Sequence, residues 1–196
     1  SLYTFFMAVV NPGDEVIIPT PYWVSYGDQV KMAEGVPVFV QAKEDNHFKV
    51  TVEQLEAART DKTKVLVLNS PSNPTGMIYS REELLAIGNW AVAHDVLILA
   101  DDIYGRLVYN GNEFVPISSL SEAIRKQTIV INGVSKAYAM TGWRVGYAVG
   151  NPEIIAAMSK LTGQTTSNLT AVSQYATIEA LTGPQDSVET MRQAFE

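Results

Sequence analysis

Short apolar runs alternate along this chain with longer stretches in which apolar residues recur every three or four positions. The short runs, rich in β-branched residues, predict buried β-strands, and the longer period predicts helices that cover them. The predicted strands are 15–18, 36–40, 64–69, 96–100, 128–132 and 145–149. The predicted helices are 1–10, 24–33, 51–59, 80–93, a stretch from 152, 169–181 and 187–196.

Local signals mark several of these boundaries. Thr51-Val52-Glu53-Gln54 and Ser80-Arg81-Glu82-Glu83 are capping boxes, in which the first and fourth residues satisfy each other's free backbone N–H groups. Pro152 suits the first position of a helix, and Gly183-Pro184 stops one. The alternation of strands and helices predicts an α/β fold, with three α/β/α layers around a mostly parallel sheet. The strand at 145–149 follows its predecessor too closely for a crossover helix, which favours antiparallel pairing.

Composition narrows the function classes. The chain has 196 residues, enough for one domain with a substantial core. Its net charge of −7 argues against nucleic acid or an acidic membrane as a partner. It has no cysteine, which excludes disulfides and thiolate metal sites, and His47 and His94 lack the spacing of metal ligands. Without a membrane-length apolar run or a secretion signal, a cytoplasmic location is predicted.

One lysine stands where an amine could do chemistry. Lys136 follows the apolar run 128–131, so we expect it to be fixed in position and partly desolvated, as an amine that forms a Schiff base requires. Arg144, eight residues later and flanked by glycines, offers a planar fork for a phosphate. Together they suggest covalently held pyridoxal phosphate (PLP). On these residues alone, a surface lysine and a solvated arginine are an equally good interpretation.

Two further polar clusters follow apolar runs. Asn69-Ser70-Pro71-Ser72-Asn73-Pro74-Thr75-Gly76 comes after the strand at 64–69, and Asp101-Asp102-Ile103-Tyr104 comes after the strand at 96–100. Either cluster alone could be a plain turn or a helix cap. In an open α/β sheet, however, ligands bind at the carboxyl edge of the strands. Three such clusters in one chain predict a site at that edge.

The combination resembles the fold-type I PLP enzymes, specifically the class I and II aminotransferases. The matching residues are Pro21-Tyr22-Trp23, Asn73-Pro74-Thr75-Gly76, Asp101-x-x-Tyr104 and Ser135-Lys136-x7-Arg144-x-Gly146. They span most of the chain. The sequences of residues 21–26 and 139–144 look most like those of the bacterial aspartate aminotransferase branch. The resemblance implies an enzyme that transfers an amino group between an amino acid and a 2-oxo acid.

The resemblance implies a role for each matching residue. Lys136 would hold PLP covalently and then act as general base and acid in the proton shift. Asp101 would pair with the pyridine nitrogen and keep it protonated, so that the ring accepts electrons. Tyr104 and Asn73 would bond the phenolic oxygen of the cofactor. Trp23 would stack on the ring face.

Two more residues would bind the phosphate, and two of those named above would also face the substrate. Ser135 and Arg144 would bind the phosphate, while Asn73 and Trp23 would also face the substrate. One departure is visible, because many relatives carry serine three residues before the lysine and this chain has Gly133. The phosphate site is therefore expected to depend more on Arg144 and on backbone N–H groups. Relatives often have cis prolines at two places, so cis bonds are predicted at Thr20–Pro21 and Asn73–Pro74.

Members of this family are substantially longer than this chain. Residues 1–196 are therefore interpreted as the PLP-binding large domain of such a protein. The small domain, which supplies an arginine for the substrate carboxylate, would lie outside it. The resemblance also implies a homodimer whose sites are completed by the second subunit. The 196-residue piece alone is therefore expected to keep the cluster around Lys136 but to show little or no transamination.

Four other interpretations can be weighed against this one. A C–S lyase of the same fold shares the motifs, and so does a PLP-binding regulatory or non-catalytic domain, although no DNA-binding segment is present. A dinucleotide-binding domain needs Gly-x-Gly-x-x-Gly after the first strand, and that motif is missing. The last alternative is a domain that folds but has no activity alone.

Overall fold

A computed structural model describes the whole chain, Ser1–Glu196. Six strands form one sheet: β1 (Glu15–Thr20), β2 (Val36–Gln41), β3 (Thr63–Asn69), β4 (Leu97–Asp101), β5 (Thr128–Gly133) and β6 (Gly146–Val149). Eight α-helices accompany it: α1 (Leu2–Val9), α2 (Ser25–Met32), α3 (Val52–Ala58), α4 (Arg81–Ala93), α5 (Glu122–Gln127), α6 (Pro152–Thr165), α7 (Ala171–Thr182) and α8 (Asp186–Phe195).

The strands lie in the order β2-β1-β3-β4-β5-β6. The first five are parallel, and β6 pairs antiparallel to β5, with Ile131 opposite Ala148. The mostly parallel sheet and the antiparallel last strand are therefore confirmed. Strand order, which the sequence did not predict, places β1 and β3 side by side although the chain continues from β1 to the other neighbour, β2. This change of direction is the kind of switch point at which open α/β sheets bind ligands.

Helices cover both faces of the sheet, as three layers require. Successive residues of β3 alternate between two apolar cores: Leu66 and Leu68 pack with α3 and α4, while Val65 and Val67 face the core that contains α1, α2 and α6. This alternation follows from the two-residue period of a strand. Because both faces are buried, each central strand is apolar throughout, which is why the strands could be found in the sequence.

The capping boxes are confirmed at both sites. Thr51 and Ser80 each accept a hydrogen bond from the N–H three residues on, and Gln54 and Glu83 bond back. Helix α5 was not predicted. It has six residues after the capping Ser121, which is too short for a helical period to repeat. Thr20–Pro21 and Asn73–Pro74 are cis, as predicted, and Ser70–Pro71, which was not predicted, is cis as well.

Candidate active site

A cavity of about 400 Å³ opens at the carboxyl edge of the sheet. Its lining includes all seven residues that were predicted to form the site, Trp23, Asn73, Asp101, Tyr104, Ser135, Lys136 and Arg144. They come from segments that follow four different strands, and parallel pairing is what brings them together. Asn69 is opposite Asp101 and Asp101 is opposite Ile131, so the ends of β3, β4 and β5 lie in one row.

Asp101 is the buried carboxylate of the cavity, with 4% of its surface exposed. Its Oδ2 accepts a hydrogen bond from Tyr26 Oη at 2.7 Å, and its Oδ1 accepts one from the Ile103 N–H at 3.2 Å. Burial raises the pKa of Asp101, while these two donors favour the ionised form and oppose that rise. A bound cation or a protonated ring nitrogen would compensate the buried charge.

Asn69 ties two parts of the cavity wall together. Its Nδ2 donates to the backbone oxygen of Asp101 at 2.8 Å, and its Oδ1 accepts from the Asn73 N–H at 2.7 Å. The loop that carries Asn73 is thereby held to the end of β4. Asn69 was not predicted to have a role in the site, since a side chain that bonds two backbone groups leaves no signal in the sequence pattern.

Lys136 lies three residues beyond the end of β5 and beside Tyr104, with its Nζ 5.5 Å from the centre of the Tyr104 ring. The prediction that this lysine is partly desolvated is wrong for the described chain, because the residue is exposed. Burial continues one residue past β5, to Val134, and Lys136 lies in the loop that follows. The amine is therefore placed by the loop and open to a ligand from the cavity side.

Ser135, Thr141 and Arg144, which also line the cavity, form the candidate anion site. Thr141 Oγ1 donates to the Ser135 carbonyl at 2.8 Å, and Arg144 Nη1 donates to the Thr141 carbonyl at 2.7 Å. Arg144 has a left-handed backbone (φ 55°) at the end of the short 3₁₀ helix Thr141–Trp143. These contacts fix the arginine and Ser135 in one turn and leave further guanidinium N–H groups for an anion.

The backbone around Gly133 explains why this chain lacks the serine that many relatives have at this position. A Cβ at this position would lie 2.7 Å from the Val145 carbonyl oxygen and 3.2 Å from the Gly146 Cα. Both are backbone atoms of the chain that enters β6. No side chain fits there unless the strand pair moves, so this chain cannot use a side chain at 133 as a phosphate donor.

We therefore predict that Gly133→Ala destabilises the protein by about 1–3 kcal/mol, the usual cost of overpacking. The matched control is Gly142→Ala, because a Cβ at Gly142 meets no atom within 4 Å. Urea denaturation of the two variants measures the difference. Equal stabilities would mean that the β5–β6 pair can spread at no cost.

Trp23 and Tyr26 stand together at the start of α2. Trp23 is 37% exposed and lines the cavity, and its ring meets the Tyr26 ring edge-on, with 5.4 Å between centroids and an angle of 87°. Tyr26 was missed as a site residue. The available signal was the Trp-x-x-Tyr spacing at the start of a predicted helix, since residues three positions apart there lie on one side.

These groups fit PLP. The buried carboxylate of Asp101 suits a protonated pyridine nitrogen, the Trp23 ring suits the face of a flat heterocycle, and Arg144 suits the phosphate. The cavity volume falls within the range of small-ligand sites. The Lys136 amine is the nucleophile that a cofactor aldehyde needs.

Comparison with known proteins shows the family of this chain. The sequence profile of the family described as aminotransferase class I and II matches residues 1–196. The chain belongs to this family. The resemblance drawn from the motifs is thereby confirmed, and so is the α/β fold, which the solved aminotransferases below share.

Three bacterial aminotransferases show the similarity. An asparagine–oxo-acid transaminase of Streptococcus mutans serotype c is 75% identical over 195 residues, which make up 100% of this chain and 50% of that protein. An aspartate aminotransferase of Bacillus sp. strain YM-2 is 59% identical over the same shares of both. The crystal structure of the aspartate aminotransferase from Rhizobium meliloti matches with a TM-score of 0.96 at 46% identity, covering 99% of this chain and 49% of that one. The chain spans about half the length of the curated relatives it matches.

No group of three or more His, Cys, Asp or Glu side chains is arranged to hold a metal ion. His47 lies in a loop, and His94 ends α4. None of the helices combines the length and the apolar character that crossing a membrane demands.

Proposed function

We propose that the whole protein is a PLP-dependent aminotransferase that moves an amino group between an amino acid and a 2-oxo acid. The observation that carries the proposal is the single cavity in which Lys136, the buried Asp101 and Arg144 meet. Within that protein, residues 1–196 would be the PLP-binding large domain. The family membership of the chain supports the reaction class.

Lys136 would bind the cofactor covalently and then move the substrate proton, as general base and acid. Its position 5.5 Å from the Tyr104 ring supports this, since the amine and the phenol then face the same part of the cavity. When bound, PLP supplies the electron sink that makes the substrate Cα–H acidic. Asp101 would hold a proton on the ring nitrogen, which is what makes the sink effective.

The other residues would orient the ring. Trp23 would cover one face, and Tyr104 with Asn73 would bond the phenolic oxygen. Ser135 and Arg144 would bind the phosphate, helped by backbone N–H groups because Gly133 leaves no room for a side chain. Asn73 and Trp23 would also border the substrate. The burial of Asp101 beneath exposed Trp23, Lys136 and Arg144 supports an arrangement in which the ring nitrogen points inward and the reacting end points out.

The substrate is proposed to be aspartate or a closely related amino acid. The relatives named above act, by their names, on asparagine and aspartate, and the first is 75% identical to this chain. An aromatic aminotransferase from Pyrococcus horikoshii nevertheless matches with a TM-score of 0.94 at 36% identity. This half of the fold is thus shared by enzymes named for different amino acids. We infer that residues elsewhere in the protein select the side chain.

The proposal is tested with the full-length protein. Aspartate, asparagine, alanine and phenylalanine are offered with PLP and 2-oxoglutarate, and glutamate formation is measured. We expect turnover with aspartate or asparagine that depends on the 2-oxo acid. Ammonia and pyruvate released from a sulfur amino acid without a 2-oxo acid would instead identify a C–S lyase. PLP binding with neither activity would identify a non-catalytic domain.

A homodimer is proposed for the whole protein on the family resemblance, and a cytoplasmic location stays the prediction made from the sequence. Apolar side chains on α7 stay exposed in the single chain, among them Val172 at 70% and Tyr175 at 75%, which supports a further covering surface. Light scattering of the full-length protein would measure its mass.

A further inference from the structure

A hydrogen bond from helix α2 reaches into the cavity and ends on its buried carboxylate. Tyr26 Oη donates to Asp101 Oδ2 at 2.7 Å, across 75 positions of sequence. Tyr26 is 2% exposed and Asp101 is 4% exposed, so water does not compete for this bond. A hydrogen bond to a charged group contributes more than a neutral one, and burial strengthens it further.

The direction of this bond is fixed. Burial, followed by the negative charge of Asp101, raises the pKa of Tyr26 far above its ordinary value. The phenol therefore keeps its proton and donates it to the ionised Asp101 carboxylate. A donor to the ionised form of a carboxyl group favours that form. Burial of Asp101 favours the neutral form, so Tyr26 opposes the effect of the surrounding core.

The phenol is also held in place. The Tyr26 N–H donates to the Trp23 carbonyl at 3.1 Å, and the two rings meet edge-to-face at 5.4 Å. The same helical turn thus supplies one wall of the cavity and the donor to its carboxylate. The second Asp101 oxygen is oriented by the Ile103 N–H. Two fixed donors on two oxygens define the direction in which the remaining lone pairs of Asp101 point.

We propose that Tyr26 is a positioning residue for the cofactor: its phenol keeps Asp101 ionised and aimed at the ring nitrogen of PLP. This inference rests on the proposed function, because it assigns a partner to one of its residues. Tyr26 lines the cavity next to its contacts Asp101 and Trp23. Its effect on the cofactor would pass through the carboxylate.

The test compares Tyr26→Phe with Tyr79→Phe in the full-length protein. Tyr79 is a matched control, since it is 5% exposed and its Oη accepts the Val50 N–H at 3.0 Å, so the same atom is removed from a buried hydrogen bond. For Tyr26→Phe we expect PLP affinity and kcat each to fall about tenfold, as for one lost bond to a charged group, with KM nearly unchanged. The ¹⁵N chemical shift of PLP labelled at its ring nitrogen should move toward the unprotonated value. Tyr79→Phe should leave that shift unchanged even if it lowers thermal stability.

A double-mutant cycle asks whether Tyr26 acts through Asp101. In an Asp101→Asn background, Tyr26→Phe should weaken PLP binding by less than twofold, because the charge that the phenol serves is gone. An undiminished tenfold effect in that background would overturn the proposed route. So would a Tyr26→Phe protein with the ring-nitrogen shift and kcat of the Tyr79→Phe control, provided the unsubstituted protein binds PLP and transaminates. If the unsubstituted protein does not bind PLP, the proposed function is overturned as well.

Discussion

Replacing Lys136 with alanine is expected to abolish turnover and the covalent attachment of PLP. Lys136 is the amine among the cavity-lining residues, and no other side chain there can both bond the cofactor aldehyde and carry the proton. General acid–base groups contribute up to about 10⁴-fold in rate, and because the covalent attachment is lost with the proton transfer, a loss on the order of 10⁴-fold is expected. Non-covalent PLP binding should persist through Arg144 and Asp101. The measurement is kcat of the full-length variant with its preferred amino acid.

Borohydride reduction followed by peptide mapping checks the attachment directly. The reduced linkage should be found on the peptide that contains Lys136 and on none in the Lys136→Ala protein. Lys160→Ala is the matched control, because Lys160 is an exposed lysine on α6 outside the cavity. A label on another lysine of the unsubstituted protein would contradict the assignment.

Asp101→Asn is expected to cost far more activity than Asp102→Asn. Asparagine has nearly the shape of aspartate but no charge, so it cannot keep a proton on the ring nitrogen. A loss of about 100-fold or more in kcat is expected, as for a group that stabilises developing charge. Asp102 is also buried, at 7% exposed, but it does not line the cavity. Equal losses from both substitutions would mean that the carboxylate at the ring nitrogen has been assigned one residue out of register.

Asp102→Asn should instead stabilise the protein at neutral pH. Burial, and then the charge of Asp101, raises the pKa of Asp102 to about 7, from 3.8 in the unfolded chain. Between these values the unfolded state loses the proton first, so the free energy of unfolding falls as pH rises from about 4 to 7. Asparagine at position 102 does not titrate, so the variant does not lose this free energy of unfolding. At 1.36 kcal/mol per pKa unit, the gain should be on the order of 2–4 kcal/mol at pH 8 and smaller at pH 5, measured by urea denaturation.

The site could be predicted from sequence to an unusual extent because its residues are local to strand ends. Asp101 and Asn73 follow apolar runs that can be recognised as strands without knowing which strands they pair with. Parallel pairing then brings the ends of such strands together. The helix caps at Thr51 and Ser80 could also be predicted from the sequence, because each joins residues only three positions apart. Helix α5 was missed because a six-residue helix is shorter than two helical turns.

What the sequence by itself determined is the alternation of strands and helices, the polar clusters at the strand ends and the family to which they belong. These depend on periods and motifs of a few residues. Only the tertiary structure decided the strand order, the Tyr26–Asp101 bond across 75 positions, the exposure of Lys136 and the closeness of Gly133 to the Val145 carbonyl. Three of these are pairings or contacts between separate segments of the chain. The exposure of Lys136 depends on whether any other segment covers it. Hydrophobic periodicity says which face of an element is buried, but not which distant atoms will meet it.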